Sequence, residues 1–187
     1  MSLENGILGF LSMKPLSGYD LKKLFDMSTA YFWPADQTQI YRTLKRLAKE
    51  GLIELKVQKK GETVDRKVYA ITKKGMEANL KQIQQNTIDD FISRDLFLMQ
   101  LFFSGALSKE ERIDLLDTQL RNINELKQQL LNTFDTDYAQ FLNLTGLSKD
   151  DPRLQSIDWT YQWELIKCRE YAKLLQKIKN ETQNRDR

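Results

Sequence analysis

Residues 35–53 read ADQTQIYRTLKRLAKEGLI, and this stretch decides the fold. Ile40, Leu44, Leu47 and Ala48 fall at i, i+4, i+7 and i+8, the spacing of a single buried helical stripe. Thr38, Gln39, Arg42, Lys45, Arg46 and Lys49 gather on the opposite side, a polar and mostly basic face carrying the donors that phosphates and base edges accept. Gly51 closes the helix, as a residue tolerant of positive φ does. Next, Ile53, Leu55 and Val57 alternate with Glu54, Lys56 and Gln58, and Tyr69 and Ile71 alternate with Val68 and Ala70. Two strands are predicted, joined by the polar QKKGETVDRK of residues 58–67 with Gly61 at the turn. A basic helix, a tight stop and a hairpin with Lys59, Lys60, Arg66 and Lys67 near its tip spell a winged helix-turn-helix. Its helix suits the major groove and its wing the phosphate backbone.

Upstream, Leu3, Ile7, Leu8 and Leu11 form one face of a short helix that Pro15 ends. A second helix follows, with Ser17 as N-cap, Asp20 three residues on, and Leu21, Leu24 and Phe25 facing inward. Tyr31, Phe32, Trp33 and Pro34 make an aromatic connection in which Trp33 is expected to anchor packing, and Pro34 with Asp36 suits a helix start.

Downstream, a long helix is expected from Lys73, with Met76, Leu80, Ile83, Thr87, Ile88, Phe91, Leu98, Met99 and Phe102 at helical intervals. Gly105 interrupts it, Ser108 and Glu111 resemble a capping box, and Ile113, Leu116, Leu120, Ile123, Leu130 and Phe134 follow a coiled-coil-like spacing with Lys127 as a polar break. A less regular segment, TDYAQFLNLTGLSKDDPRLQ, then precedes a last helix from about Asp158 to Asn180. Its stripe is Tyr161, Leu165, Cys168, Ala172 and Leu175, widened by Trp159, Trp163 and Ile166. Two long helices cannot close a core alone, so a homodimer is expected, held by Ile113, Leu116, Leu120, Ile123, Leu165 and Leu175. The reading is a mostly α protein: residues 1–75 a winged helix with a small β-hairpin wing, 76–105 a linking helix, and 106–187 a helical dimerisation domain with long antiparallel or coiled-coil-like helices.

Composition narrows the function. Residues 1–75 carry 14 basic and 8 acidic side chains, whereas residues 76–187 carry 15 and 18, so positive charge concentrates on the first part. The single cysteine, Cys168, forbids an intrachain disulfide and reads as a small hydrophobe. With no histidine in 187 residues, the commonest general base, the serine and cysteine triads and nearly every zinc site are excluded. No phosphate-cradling glycine motif stands out, and neither a cofactor nor a metal is expected. Adjacent carboxylates such as Asp89 and Asp90, or Asp150 and Asp151, more ordinarily face solvent than serve catalysis. No run of about 18 apolar residues and no basic leader occurs, which points to a cytoplasmic protein that does not span a membrane.

GYDLKKLF (18–25), IYRTLKRLAKEGLI (40–53) and, after a short wing, KVYAITKKG (67–75) resemble the PadR-like bacterial transcriptional regulators. The segment after Gly75 is similar to the helical, virulence-activator-type C-terminal domain of the longer subfamily. The resemblance implies a dimer that binds double-stranded DNA, usually as a repressor, with some relatives answering small aromatic or cationic compounds. One departure stands at Arg42, which replaces the proline of many members and brings a long donor to that place. Arg42, with Thr38 and Gln39, is the expected base reader, while Lys45, Arg46 and Lys49 serve phosphates. Tyr19 and Tyr41 either offer hydroxyls to phosphates or are core tyrosines with satisfied hydroxyls. Trp159 and Trp163, with Phe102, form a candidate effector pocket; packing between subunits is the ordinary alternative for such a stripe. A competing reading is a winged-helix protein-interaction module without specific DNA binding.

Overall fold

The structure is a computed structural model that describes residues 3–60, 63–84 and 95–184, with backbone alone at 58–60, 63–66 and 133–137. Two compact units divide the chain, Met1–Phe91 with Thr136–Lys149, and Ile92–Asp135 with Asp150–Arg187.

In the first unit, α1 (Leu3–Leu11), α2 (Gly18–Leu24) with a π turn at Phe25–Thr29, and α3 (Gln37–Lys49) precede the hairpin β1 (Ile53–Lys60) and β2 (Thr63–Ile71), and α4 (Lys73–Gln84) follows. Their buried faces meet in one core: Ile7, Leu11, Leu16, Leu21, Leu24, Phe25, Ile40, Leu44 and Leu47 are all at most 2% exposed. Each such side chain contributes about 1.5–3 kcal/mol by leaving water. Phe10 and Phe25 meet edge to face at 5.1 Å, joining α1 to the end of α2.

The helix starts follow from local chemistry. The Asp20 amide donates to Ser17 Oγ at 3.2 Å and the Ser17 amide to Asp20 Oδ2 at 3.1 Å, a complete capping box for α2. At α3 the Gln39 amide donates to Asp36 Oδ1 at 2.8 Å. That helix ends in a Schellman turn: Gly51 takes φ +72°, its amide donates to Ala48 O at 3.1 Å, and the Leu52 amide donates to Leu47 O at 2.9 Å.

β1 and β2 pair antiparallel from Ile53↔Ile71 to Lys60↔Thr63, with an irregularity between Gln58 and Lys60. Leu16 and Tyr69 exchange both backbone bonds, at 3.0 and 2.8 Å, so the connection between α1 and α2 adds one bridge to the hairpin. Ile53, Val68 and Ala70 face the core, while Leu55 and Val57 are exposed beyond the point where the hairpin leaves it. Thr72 starts α4: its hydroxyl accepts the Gly75 amide at 3.1 Å and donates to Gly51 O at 2.8 Å, binding the helix start to the end of α3.

The long helix expected from Lys73 through Phe102 is not continuous. α4 is described as far as Gln84, and α5 (Leu96–Phe103) starts afresh, capped by Asp95, whose Oδ1 accepts the Leu98 amide at 3.0 Å from extended backbone. An aspartate at such a position offers the first-turn amides an acceptor that an unbroken helix would not need. Thr87, Ile88 and Phe91 lie outside the described residues.

The second unit holds α5, most of α6 (Lys109–Thr145) and α7 (Arg153–Asn184). Ser108 and Glu111 form the expected capping box, at 2.8 and 3.2 Å. α6 runs into the first half of the expected irregular segment, because nothing between residues 109 and 145 breaks a helix until Gly146, at φ +72°. Its last residues belong to the first unit, where Lys14 Nζ donates to Asn143 O at 2.8 Å. α7 starts five residues before Asp158, behind Pro152, with Asp151 Oδ1 accepting the Arg153 amide at 2.9 Å. Within the unit Leu116, Leu130, Cys168 and Leu175 are buried, and Lys179 Nζ donates to Asp117 Oδ1 at 2.5 Å between α6 and α7.

Candidate nucleic-acid interface

α3 is capped at both ends and pressed into the core along Ile40, Leu44 and Leu47, so its remaining face has a fixed orientation. Thr38, Gln39, Arg42, Lys45, Arg46 and Lys49 are all exposed on it. Gln37, Thr38, Tyr41, Arg42 and Lys45 line one shallow concavity. Arg42, Lys45 and Lys49 form no ion pair with another described residue, so their charge faces water unspent.

Arg46 stands apart. Its guanidinium is ion-paired with Glu4 of α1, on the flank of α3 away from the concavity residues. Its expected role as a phosphate donor therefore has an internal competitor, which the helical repeat alone does not reveal.

Neither Tyr19 nor Tyr41 is a core residue, at 59% and 39% exposed. Lys23 Nζ lies 5.8 Å from the centre of the Tyr19 ring, adding a cation on α2 beside the tyrosine. Lys22 is committed to Asp26. Sequence reasoning passed over Gln37 and Lys23. The i, i+4, i+8 series Gln37, Tyr41 and Lys45 carried the signal for the first, but nothing in the sequence separates Lys23 from Lys22.

On the wing, Lys67 is exposed and pairs in register with Val57. The side chains of Lys59, Lys60 and Arg66 lie outside the described residues. Trp33, in the connection before α3, is 37% exposed, so it is only partly packed.

In the helical unit, Leu116 and Leu175 are fully buried within the single chain and Ile123 is 9% exposed, whereas Ile113, Leu120 and Leu165 are half-buried. Among the described residues, the apolar side chains left open include Leu96, Leu98, Met99, Phe102 and Phe103 of α5, and Trp159, Trp163, Ile166 and Leu174 of α7. Phe102 is 80% exposed, Trp159 61% and Trp163 66%, so the three enclose no pocket in one chain. Cys168 is buried, and burial, reinforced by Glu164 and opposed by Lys167, pushes its thiol above its ordinary value. Asp151 is held down to about 2 by its hydrogen bonds with Arg153, a structural ionised carboxylate at a helix start. Asp150 is exposed, and Asp89 and Asp90 lie outside the described residues. Among the described residues no helix is long and apolar enough to cross a membrane.

Comparison with known proteins places this geometry. The model of the transcriptional regulator PadR-like family matches residues 7–81. The negative transcriptional regulator PadR of Bacillus subtilis is 34% identical over 120 residues, 64% of this chain and 65% of that protein, so the match spans just under two thirds of its length. In structure, Bacillus subtilis PadR in complex with operator DNA superposes with a TM-score of 0.79 at 25% identity, covering 96% of this chain and 98% of that one. The same Bacillus subtilis protein has been solved with p-coumaric acid, at 24% identity. The Vibrio cholerae virulence activator AphA gives a TM-score of 0.70 at 27% identity, covering 96% and 97%. The fold is shared along nearly the whole chain with these solved regulators, and residues 7–81 are similar to the transcriptional regulator PadR-like family.

Proposed function

We propose that this chain is a sequence-specific, DNA-binding transcriptional regulator, a homodimeric repressor that occupies a pseudo-palindromic promoter site in the cytoplasm. The observation that carries the proposal is the concavity on α3, where Thr38, Arg42 and Lys45 stand open to solvent and unpaired on a helix locked by its other face. Arg42 reads base edges in the major groove, with Thr38 and Gln39 beside it. Lys45, Lys49 and Arg46, the last once released from Glu4, meet phosphates, as do the hydroxyls of Tyr19 and Tyr41. Lys59, Lys60, Arg66 and Lys67 of the wing follow the backbone without reading sequence.

In this reading residues 1–75 bind DNA, 76–105 link, and 106–187 assemble the dimer. A second copy covers the open apolar side chains of α5 and α7, because so many exposed large apolar groups on one unit are costly in water. Ile113, Leu120 and Leu165, half-buried in one chain, would be closed off by the same contact, while Leu116, Ile123 and Leu175 support it from beneath. Two α3 helices about 34 Å apart then meet successive major-groove faces. A small aromatic or cationic effector, stacked near Trp159, Trp163 and Phe102, would shift the pair of DNA-binding heads by favouring one arrangement over the other.

The test is selection of bound fragments from the source genome by wild type and by Arg42→Ala/Lys45→Ala at near-physiological salt. Enrichment of one pseudo-palindromic site by the wild type alone is the expected result. Absence of any enrichment with the wild type would overturn the reading in favour of a protein-interaction module.

A further inference from the structure

Gly18 opens α2, is buried, and lies directly beneath the Tyr41 ring of α3. A Cβ built there would stand 2.6 Å from Tyr41 Cζ, 2.7 Å from Cε1 and 2.9 Å from the hydroxyl oxygen, closer than carbon and oxygen atoms pack. The backbone does not ask for glycine at this point, since among the described residues only Gly51 and Gly146 take positive φ. Alanine would favour the helix over glycine by up to about 1 kcal/mol in a helix interior. Local propensity therefore argues for alanine at residue 18, and only the approach of Tyr41 argues against it.

The clash involves the far end of a side chain that can rotate away, and Tyr41 is 39% exposed, so water is available to receive the ring. The consequence of a methyl group at residue 18 is a displaced hydroxyl more than a damaged core. That hydroxyl makes no hydrogen bond with another described residue, and it sits on the rim shared by Gln37, Thr38, Arg42 and Lys45. An unengaged phenol held at a fixed place among unpaired cations is a donor waiting for an anion.

We infer that Gly18 is a positioning residue of the DNA face: its missing side chain seats the Tyr41 ring so that the hydroxyl donates to a backbone phosphate. The inference rests on the DNA-binding reading above. Gly18 touches no DNA itself and acts only through Tyr41.

The experiment compares wild type, Gly18→Ala, Tyr41→Phe and the double variant on a labelled random-sequence duplex at low ionic strength, with thermal melting of each protein. Gly18→Ala and Tyr41→Phe should each weaken binding about tenfold, and the double variant should bind no worse than either, because both remove one hydrogen bond to a charged group. Melting should hardly change. Losses that multiply in the double variant, or Gly18→Ala binding like wild type, would overturn the inference while leaving the DNA-binding reading intact. A wild type without affinity for any duplex would sink both. Should Gly18→Ala fold poorly, Gly18→Ala is added to Tyr41→Ala, where the space is open. There it must be silent in binding and must not lower the melting transition, and a further loss counts against the positioning role.

Discussion

Arg46 on α3 and Glu4 on α1 are ion-paired, so one cation of the basic helix face is already answered from within the protein. Both side chains retain solvent access, 55% and 28%, and a pair so exposed contributes at most about 1 kcal/mol to stability. Glu4→Gln is therefore expected to leave the melting transition nearly unchanged, to tighten binding to random duplex about two- to fivefold, and to steepen the salt dependence by up to one phosphate contact. Titration of binding across a salt series checks this; an unchanged slope would mean that Arg46 stays on the α1 side when DNA is bound.

Arg42 and Lys67 separate reading from gripping. Arg42→Ala should cost roughly 1–3 kcal/mol on the selected site and much less on random duplex, whereas Lys67→Ala should weaken both equally and lower the salt slope by about one. Paired binding curves on the two duplexes decide it, and equal losses for Arg42→Ala would remove its base-reading role.

Gly75 packs against the backbone of Leu52, where a Cβ would stand 2.0 Å from the carbonyl oxygen. Unlike the Tyr41 ring, that carbonyl is held in place, by Thr72 whose amide donates to it at 3.0 Å. Gly75→Ala should destabilise the winged helix by about 2–3 kcal/mol or more, as forced overpacking does. A shift of the denaturation midpoint measures it.

Cys168 should be inert. Its thiol is raised above its ordinary value, first by burial, so the neutral form is the stable one in the folded state. The sign follows: this contribution is fully present below the unfolded value and is lost as pH rises through the folded one. Iodoacetamide at about pH 8 should modify the native protein very slowly and the urea-unfolded protein rapidly. Fast native labelling would contradict the burial.

Trp159 and Trp163 stand one helical turn apart on α7, both more than half exposed. Replacing both by alanine should weaken dimerisation by about 2 kcal/mol or more, as loss of aromatic anchors does, without unfolding the chain, whose intrachain contacts rest on Leu116 and Leu175. Sedimentation over a concentration series is the measurement; an unchanged dimer would free the two rings for the effector role.

Much of the first unit was legible in residue order. The α3 stripe, its stop at Gly51 and the caps at Ser17 and Asp36, like the cap at Ser108 in the second unit, stand where the pattern puts them, because each depends on residues within about one turn of each other. The continuous helix through Phe102 failed at Asp95, where apolar spacing matched a helix on both sides of a cap. The end of α6 was missed for the opposite reason: polar residues near Thr136 looked like a loop, yet none of them breaks a helix.

Sequence by itself determined the helices, the hairpin, the basic character of α3 and the absence of histidine chemistry, since periodicity, capping and composition are local properties. Tertiary structure decided which charges remain free and which rings remain open. Glu4 meets Arg46, Gly18 meets Tyr41, and Leu116 and Leu175 close within one chain only because the fold joins stretches far apart along it. Pairing of that kind is set by packing between elements, for which a single sequence carries no spacing rule.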